Sequence, residues 1–228
     1  LFHGTTDLSI LCKDGVVVAT DGRATSPDMH IGDEHFDKMR SLDSHSLIAI
    51  AGVPGIGLPM AKLIRARLMF EAMDHENIHL PAETKANIIA ESVRNNMGLM
   101  LVHKLVVHPI LATFDLSEPK PCGKVFNIWL DGVAQRCSRH TSCGSGSQTA
   151  DIVMELMLDI IKKEPDELSL KEAQHLAVLA LRYAHKKDAA TGEKVFMRTI
   201  TKEGISLVSE EEINGFTEKI IRGEVVSC

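Results

Sequence analysis

The chain has 228 residues, of which 44% are hydrophobic and 25% are charged, and its formal net charge is −6. These values predict a globular domain with a sizeable core, and they lack the basic character typical of nucleic-acid or anionic-membrane binding. The five cysteines are scattered and odd in number, which argues against a disulfide framework and favours a reducing, cytoplasmic compartment. No apolar run approaches the roughly 18–20 residues of a membrane span.

The first predicted element is a β-hairpin at the start of the chain. Its two apolar strands flank Asp14-Gly15, a strong hairpin signal, and cover residues 6–12 and 15–21. Because a hairpin brings its ends together, we expect Asp21 and Arg23 to lie near Thr5. A hydroxyl, a carboxylate and a guanidinium would then share one small site.

The rest of the chain alternates between groups of strands and groups of helices. Apolar runs predict strands over residues 46–51, 109–114, 124–129, 133–137, 195–201 and 205–208. Helical spacing predicts helices over residues 58–74, 82–104, 149–162, 170–187 and 210–221, the last two after Ser-x-x-Glu capping sequences. Repeated βαβ units are absent from this pattern. It predicts one α+β domain, a four-layer αββα sandwich of two antiparallel sheets flanked by helices.

Five motifs, taken in order, resemble those of proteasome β-type subunits, which are hydrolases with a threonine nucleophile at the mature N-terminus. They are Thr5-Thr6 with the stretch Lys13-Asp14-Gly15 to Asp21-Gly-Arg23-Ala-Thr25, Lys38-Met39, Ala49-Ile-Ala-Gly52, Gly144-Ser145-Gly146-Ser147 and Asp188-Ala-Ala-Thr191-Gly192. The last motif has threonine where the family has serine. The resemblance covers about residues 4–222 and implies the N-terminal-nucleophile hydrolase fold.

The nucleophile implied by the resemblance is Thr5. A threonine hydroxyl reacts poorly until a base takes its proton. Cleavage of the Gly4–Thr5 bond would free an α-amine with a pKa near ~8, which could serve as that base. The resemblance implies that this cleavage is autocatalytic, with Gly4 leaving the backbone free to bend. Residues 1–4 are then expected to be a propeptide remnant and residues 5–228 a single hydrolase domain.

The resemblance also assigns roles to residues far from Thr5 in sequence. It implies that the Lys38 ammonium lowers the energy of the developing alkoxide. Asp21 would hold this lysine in place, and Arg23 would brace the cluster. The backbone N–H of Gly52 resembles the oxyanion donor of the family. The group expected to support the α-amine consists of Ser145, Asp188 and Thr191.

Two departures from the family pattern affect these expectations. The spacing from Arg23 to Lys38 is one residue longer than usual, and an ungapped count selects Asp37, whose carboxylate could not do the work of a lysine. Pro54 stands where the family uses a backbone N–H to pair with an extended substrate, and proline has no N–H.

The remaining substrate contacts are expected from Thr25 and Gly52. The specificity pocket is predicted to be lined by Ala24, Arg40 and Ile50, a mixture that does not decide the preferred side chain.

Two other patterns have alternative interpretations. Cys137-x-x-His140-x-x-Cys143 has zinc-ligand residue types, but it spans a strand end where alternate side chains point to opposite faces, and it lacks an obvious fourth ligand. The glycines of Gly52-x-x-Gly55-x-Gly57 resemble a dinucleotide motif, yet a second helix follows where a parallel strand is needed. We therefore predict no metal and no cofactor.

The sequence thus predicts a threonine-type endopeptidase subunit of a proteasome-like assembly. The resemblance implies identical subunits in stacked seven-membered rings, unfolded polypeptide substrates, and an α-type ring or ATP-dependent unfoldase as partner. Both a conventional proteasome β subunit and a bacterial homologue fit. Two alternatives remain open: a structural ring subunit with an inactive site, and a small-amide hydrolase of the same architecture.

Overall fold

The computed structural model describes residues 4–25, 31–74 and 79–224. Its strands are β1 (Thr6–Cys12), β2 (Gly15–Asp21), β3 (Ala24–Thr25), β4 (Ile31–Asp33), β5 (Met39–Asp43), β6 (Ser46–Gly52), β7 (Val107–Asp115), β8 (Cys122–Ile128), β9 (Ala134–Cys137), β10 (His140–Gly144), β11 (Val195–Thr201) and β12 (Gly204–Leu207). Its helices are α1 (Pro54–Asp74), α2 (Ala82–Asn95), α3 (Met97–His103), α4 (Ser147–Ile161), α5 (Leu170–Lys187) and α6 (Glu210–Ile221).

Ten of these strands form two antiparallel sheets of five. The first sheet has the order β10-β1-β2-β11-β12, and the second has the order β5-β6-β7-β8-β9. The short strands β3 and β4 pair with each other. The predicted α+β class and the two antiparallel sheets are confirmed.

Alternating side chains on the strands divide the core into three layers. Along β2, Val16 and Val18 pack between the two sheets, whereas Val17 and Ala19 face the helices. Helices α4, α5 and α6 cover the outer face of the first sheet, and α1, α2 and α3 cover that of the second. The molecule is the predicted four-layer αββα sandwich.

The opening hairpin forms as predicted. Register pairs run from Asp7 and Thr20 to Cys12 and Gly15, so the loop closes over two residues. Strand β1 lies between β2 and β10, near the centre of the first sheet. The start of the chain is therefore held on both sides by hydrogen-bonded strands.

Several element boundaries differ from the predictions. The helix predicted over residues 82–104 is two helices, because α2 ends in a turn at Asn96, whose N–H donates to the carbonyl of Val93 at 3.0 Å. Helix α1 begins at Pro54 rather than at residue 58, since proline suits the first turn of a helix. Strands β3, β4, β5 and β10 were not predicted; β10 is short and lacks an apolar alternation that would mark it.

Within the described ranges, no helix is both long enough and apolar enough to cross a membrane. Four of the cysteines, Cys12, Cys122, Cys137 and Cys143, are free thiols. Cys228 lies outside the described residues.

Candidate active site

The candidate site lies where the first hairpin ends. Thr5 immediately precedes β1 and is only 3% exposed. Asp21 is the last residue of β2 and is completely buried. The Thr6 N–H donates to Asp21 Oδ1 at 2.7 Å, so the hairpin brings its two ends together as expected.

Asp21 also binds a lysine from the other sheet. Lys38 lies just before β5, and its Nζ is 2.5 Å from Asp21 Oδ1. The second carboxylate oxygen accepts the N–H groups of Arg23 at 2.9 Å and Gly192 at 2.7 Å. Because a buried charge is tolerated only when it is paired and hydrogen-bonded, these donors compensate the burial of the Asp21 carboxylate and fix the lysine in one position.

Asp37, the residue that an ungapped count would select, has a different partner. Its two oxygens accept from both terminal nitrogens of Arg198, at 3.1 and 2.7 Å, and one of them also accepts the Met39 N–H. Burial tends to raise the pKa of Asp37, but the hydrogen bonds from Arg198 and Met39 outweigh it and lower the pKa. Of the two neighbours, it is Lys38 that reaches the pocket beside Thr5.

Arg23 connects three segments around this pair. Its guanidinium donates to the carbonyl of Ala189 at 2.6 Å and to Glu34 Oε1 at 2.9 Å. Together with its backbone bond to Asp21, these contacts tie the end of β2 to the loop after α5. This arrangement agrees with a bracing position for Arg23.

Ser145, Asp188 and Thr191 form a second cluster on the other side of Thr5. The Thr5 N–H donates to Ser145 Oγ at 3.3 Å, and Ser145 Oγ lies 2.5 Å from Asp188 Oδ2. The Thr191 hydroxyl donates to the same carboxylate oxygen at 2.8 Å. The nitrogen of Thr5 therefore faces a hydroxyl that is itself oriented by a carboxylate.

Thr6 and Gly192 belong to the site although they were not predicted. The Thr6 hydroxyl lies 2.7 Å from the Thr191 hydroxyl, which joins the two clusters. The N–H of Gly192 completes the shell of Asp21. Both residues lie within the motifs, but no role at the site was predicted for them, because nothing in their types distinguishes them from ordinary strand or turn residues.

A small pocket opens beside Thr5. Its lining includes the predicted substrate-site residues Ala24, Ile50, Gly52 and Pro54, together with Lys38 and the predicted cleavage-site residues Gly4 and Thr5. The unpredicted lining residues are Phe36, Val53, Gly57 and Leu58. Arg40 does not line this pocket. Its guanidinium donates instead to the carbonyls of Asp37 and Met39, so the lining differs from the prediction at this residue. The pocket wall is mainly apolar. Thr25 was also predicted to contact the substrate, but its side chain lies outside the part of the chain that the structure describes.

Two glycines allow close approach of the backbone at this pocket. Gly52 has a φ of +116°, and a side chain there would overlap the carbonyl of Val106. Gly4 is buried, and a Cβ on it would overlap Ala190. The hydroxyl of Thr5 donates to the carbonyl oxygen of Gly4 at 2.7 Å, so the hydroxyl already adjoins the peptide group that precedes it.

The residues of the pattern Cys137-x-x-His140-x-x-Cys143 lie on two sheets. Cys137 is on β9 of the second sheet, and His140 and Cys143 are on β10 of the first. The ring of His140 contacts Glu155 and Asp151 of α4, whereas Cys143 lies between the sheets and donates to the carbonyl of His108. In the part of the chain that the structure describes, three candidate metal ligands converge at Glu83, Asp115 and Glu118, and there the Lys124 ammonium already binds all three.

Comparison with known proteins identifies the family of this chain. The family model described as "Proteasome subunit" matches residues 1–200. The chain is 33% identical to "Proteasome subunit beta" of Stackebrandtia nassauensis, over 96% of this chain and 78% of the relative. It is 32% identical to "Proteasome subunit beta" of Methanococcus maripaludis strain C7, over 95% and 92%. It is also 30% identical to "Proteasome subunit beta 2" of Thermomonospora curvata, over 96% and 77%. The chain belongs to the proteasome subunit family, and these relatives are β subunits.

Proposed function

We propose that this chain is a threonine-type endopeptidase subunit of a self-compartmentalised, proteasome-like ring. The observation that carries the proposal is that the Thr5 hydroxyl shares a pocket with the Lys38 ammonium, which Asp21 holds in place. A neighbouring ammonium favours the alkoxide form of a hydroxyl, and a buried position strengthens that effect.

The proposed activity begins with cleavage of the Gly4–Thr5 bond. The Thr5 oxygen adds to the Gly4 carbonyl carbon, the C–N bond breaks, and the nitrogen leaves as the α-amine. Water then hydrolyses the resulting ester, which returns the hydroxyl and leaves a carboxylate on Gly4. In this interpretation residues 1–4 are a propeptide remnant and residues 5–228 form the hydrolase domain.

After cleavage, the new α-amine is the proposed base. Its position beside Ser145, which is bonded to Asp188, supports this role, because that chain of hydroxyl and carboxylate can orient the amine and exchange protons with it. Thr191 adds a further hydrogen bond to the same carboxylate. Gly52 is the proposed oxyanion donor through its N–H.

The proposed substrates are unfolded polypeptides, bound in the pocket beside Thr5. Ala24, Ile50 and Pro54 line this pocket, and they favour an apolar or small side chain on the substrate. Thr25 is proposed to contact the substrate through its backbone. Because Pro54 begins α1 and has no N–H, strand-like pairing with substrate must depend on the other segments.

Assembly into rings is part of the proposal. Large apolar side chains are exposed on the outer helices, among them Leu63, Phe70 and Met73 of α1 and Ile152, Leu156 and Ile160 of α4. Exposed apolar surface of this extent is typical of subunit interfaces. We propose identical subunits in stacked, seven-membered rings in the cytoplasm, fed by an α-type ring or an ATP-dependent unfoldase.

The decisive experiment compares Thr5→Ala with Thr201→Ala, which makes the same chemical change on a strand far from the site. Thr5→Ala should abolish hydrolysis of fluorogenic peptides and of an unfolded protein, and intact mass should show Gly4–Thr5 uncut. Thr201→Ala should behave like the wild type. Assembled wild-type rings that keep the bond intact and cleave nothing would show a structural subunit instead. Turnover of small amides without proteolysis would indicate the small-amide hydrolase.

A further inference from the structure

A row of buried polar side chains begins two residues after the candidate nucleophile. Asp7 of β1, the first of them, pairs in the sheet register with Thr20 on β2 and with Cys143 on β10. These side chains share the face that packs against the second sheet. Asp7 is completely buried, as is Ser9 on the same face of β1.

This row has few internal hydrogen bonds. Within the described ranges, Asp7 Oδ1, Ser9 Oγ and Thr20 Oγ1 have no hydrogen-bond partner. The other carboxyl oxygen, Asp7 Oδ2, lies 4.0 Å from the sulfur of Cys143. An ionised carboxylate in such a place would lose most of its hydration without compensation, because among the described residues only the weak S–H donor of Cys143 forms a hydrogen bond with it.

The surroundings of Asp7 therefore favour its neutral form. Burial raises the pKa of Asp7 to about 8, against the opposing effect of Lys38 and with reinforcement from Asp21 and Asp37. On β10, burial also raises the pKa of the Cys143 thiol, so this neighbour carries no charge near neutral pH.

Among the described residues, the other elements that contact β1 bring no second cation to Asp7. The titratable groups of β7 are His108, the pKa of whose ring is lowered by burial, and Asp115, which binds Lys124. Lys124 of β8 is bound by Asp115 and Glu118. Helices α4 and α5 pack on the opposite, apolar face of β1. Among the neighbouring charges, the Lys38 ammonium of the proposed active site has the largest effect on the pKa of Asp7.

We propose that Asp7 is a positioning residue that acts as a neutral acid: while it keeps its proton, Lys38 stays with Asp21 beside Thr5, and ionisation of Asp7 weakens the site. This inference rests on the proposed threonine protease function. An ionised Asp7 competes with Asp21 for Lys38 and adds negative charge near Thr5. Both effects make the alkoxide harder to form, and the added charge also keeps the α-amine protonated.

The first test compares pH–rate profiles of the processed wild type, Asp7→Asn and Ser9→Ala. Asparagine has the shape of the neutral acid but cannot ionise, and Ser9→Ala removes an unpaired oxygen from the same row without a charge change. The rate of each protein is divided by its own rate near neutral pH. One pH unit above the transition, this relative rate should be about tenfold lower for the wild type than for Asp7→Asn. Ser9→Ala should follow the wild type. Superimposable profiles for the wild type and Asp7→Asn would overturn the proposal, as would an Asp7→Asn variant that is folded but inactive at every pH.

The second test does not depend on activity. Infrared difference spectra of Thr5→Ala rings should show the C=O band of a protonated carboxylic acid near neutral pH that disappears with a midpoint of about 8 and is missing in Thr5→Ala/Asp7→Asn. If this band is absent, the inference is wrong even if the wild type hydrolyses peptides. If the band is present but the wild type hydrolyses nothing, the neutral state of Asp7 is supported and it is the proposed protease function that fails.

Discussion

The Nζ atom of Lys38 lies 2.5 Å from Oδ1 of Asp21, with side-chain exposures of 4% and 0%. Asp21 ends a strand of the first sheet, and Lys38 precedes a strand of the second. The pair therefore joins the two sheets at the pocket that contains Thr5. Its geometry depends on how the sheets pack, so the site and the fold are coupled.

Replacing Lys38 by methionine should remove hydrolysis while a second buried lysine tolerates the same change. Lys85 is the matched control, because its Nζ is also buried in an ion pair, 2.8 Å from Asp43 Oδ2, and is remote from Thr5. Lys38→Met removes the cation of the buried Asp21 carboxylate and should lower the free energy of unfolding by about 3–5 kcal/mol, whereas Lys85→Met leaves the exposed Asp43 carboxylate and should cost less. Only Lys38→Met should lower kcat/KM, by about 10²–10³-fold. Equal activity losses in both variants would show that the effect of Lys38 is on folding alone.

Asp21→Asn and Asp37→Asn should separate a site residue from its near neighbour in the alignment. Asp37 is bound to Arg198, so its amide variant should lose stability and keep hydrolysis within about threefold. Asp21→Asn should lose hydrolysis by at least about 10²-fold, because the lysine is no longer held. Peptide hydrolysis and thermal unfolding of both variants check this. An inactive Asp37→Asn with an active Asp21→Asn would refute the placement of Lys38 in the mechanism.

Gly4→Ala should slow cleavage of the bond before Thr5. A Cβ at Gly4 overlaps Ala190, so the peptide group that the Thr5 hydroxyl contacts must move away. We expect processing at least about tenfold slower, followed by intact mass over time, because a displaced carbonyl is no longer aligned for attack. Gly215→Ala on α6 is the control, since a Cβ there meets nothing within 4 Å. Unchanged processing in Gly4→Ala would mean that the precursor is cleaved from another conformation.

Stability should fall in acid through Asp115. Burial tends to raise its pKa, but hydrogen bonds from Ser117, Lys124 and the N–H of Ala82 outweigh it and lower the pKa from 3.8 to about 2. A carboxylate whose folded pKa is depressed adds stability above its unfolded pKa and loses it as pH falls towards the folded value. The free energy of unfolding should therefore drop between about pH 4 and pH 2.

Asp115→Asn is the comparison for this acid loss. It should be less stable than the wild type at neutral pH and show a smaller drop over the same interval, measured by urea unfolding at several pH values. Parallel curves for the two proteins would assign the acid loss to other carboxylates.

How far each feature could be predicted depends on the range of the interactions that cause it. The opening hairpin follows from Asp14-Gly15, and the start of α5 follows from the complete capping box of Ser169 and Glu172. These signals involve residues a few positions apart. The break at Asn96 and the strand β10 lacked such a signal, because one is a local bend within an apolar pattern and the other is a short polar strand stabilised by its pairing with β1.

The sequence by itself determined the family, the αββα architecture and the motif residues around Thr5, because turns, caps and short motifs depend on residues that are close together in the sequence. Only the tertiary structure decided that Lys38 rather than Asp37 reaches Asp21, that Arg40 lies outside the pocket lining, and that one carboxyl oxygen of Asp7 is buried without a partner among the described residues. Each depends on how β5 and β1 pair with distant strands. A shift of one residue in such pairing exchanges the faces of a strand, and no local pattern records that register.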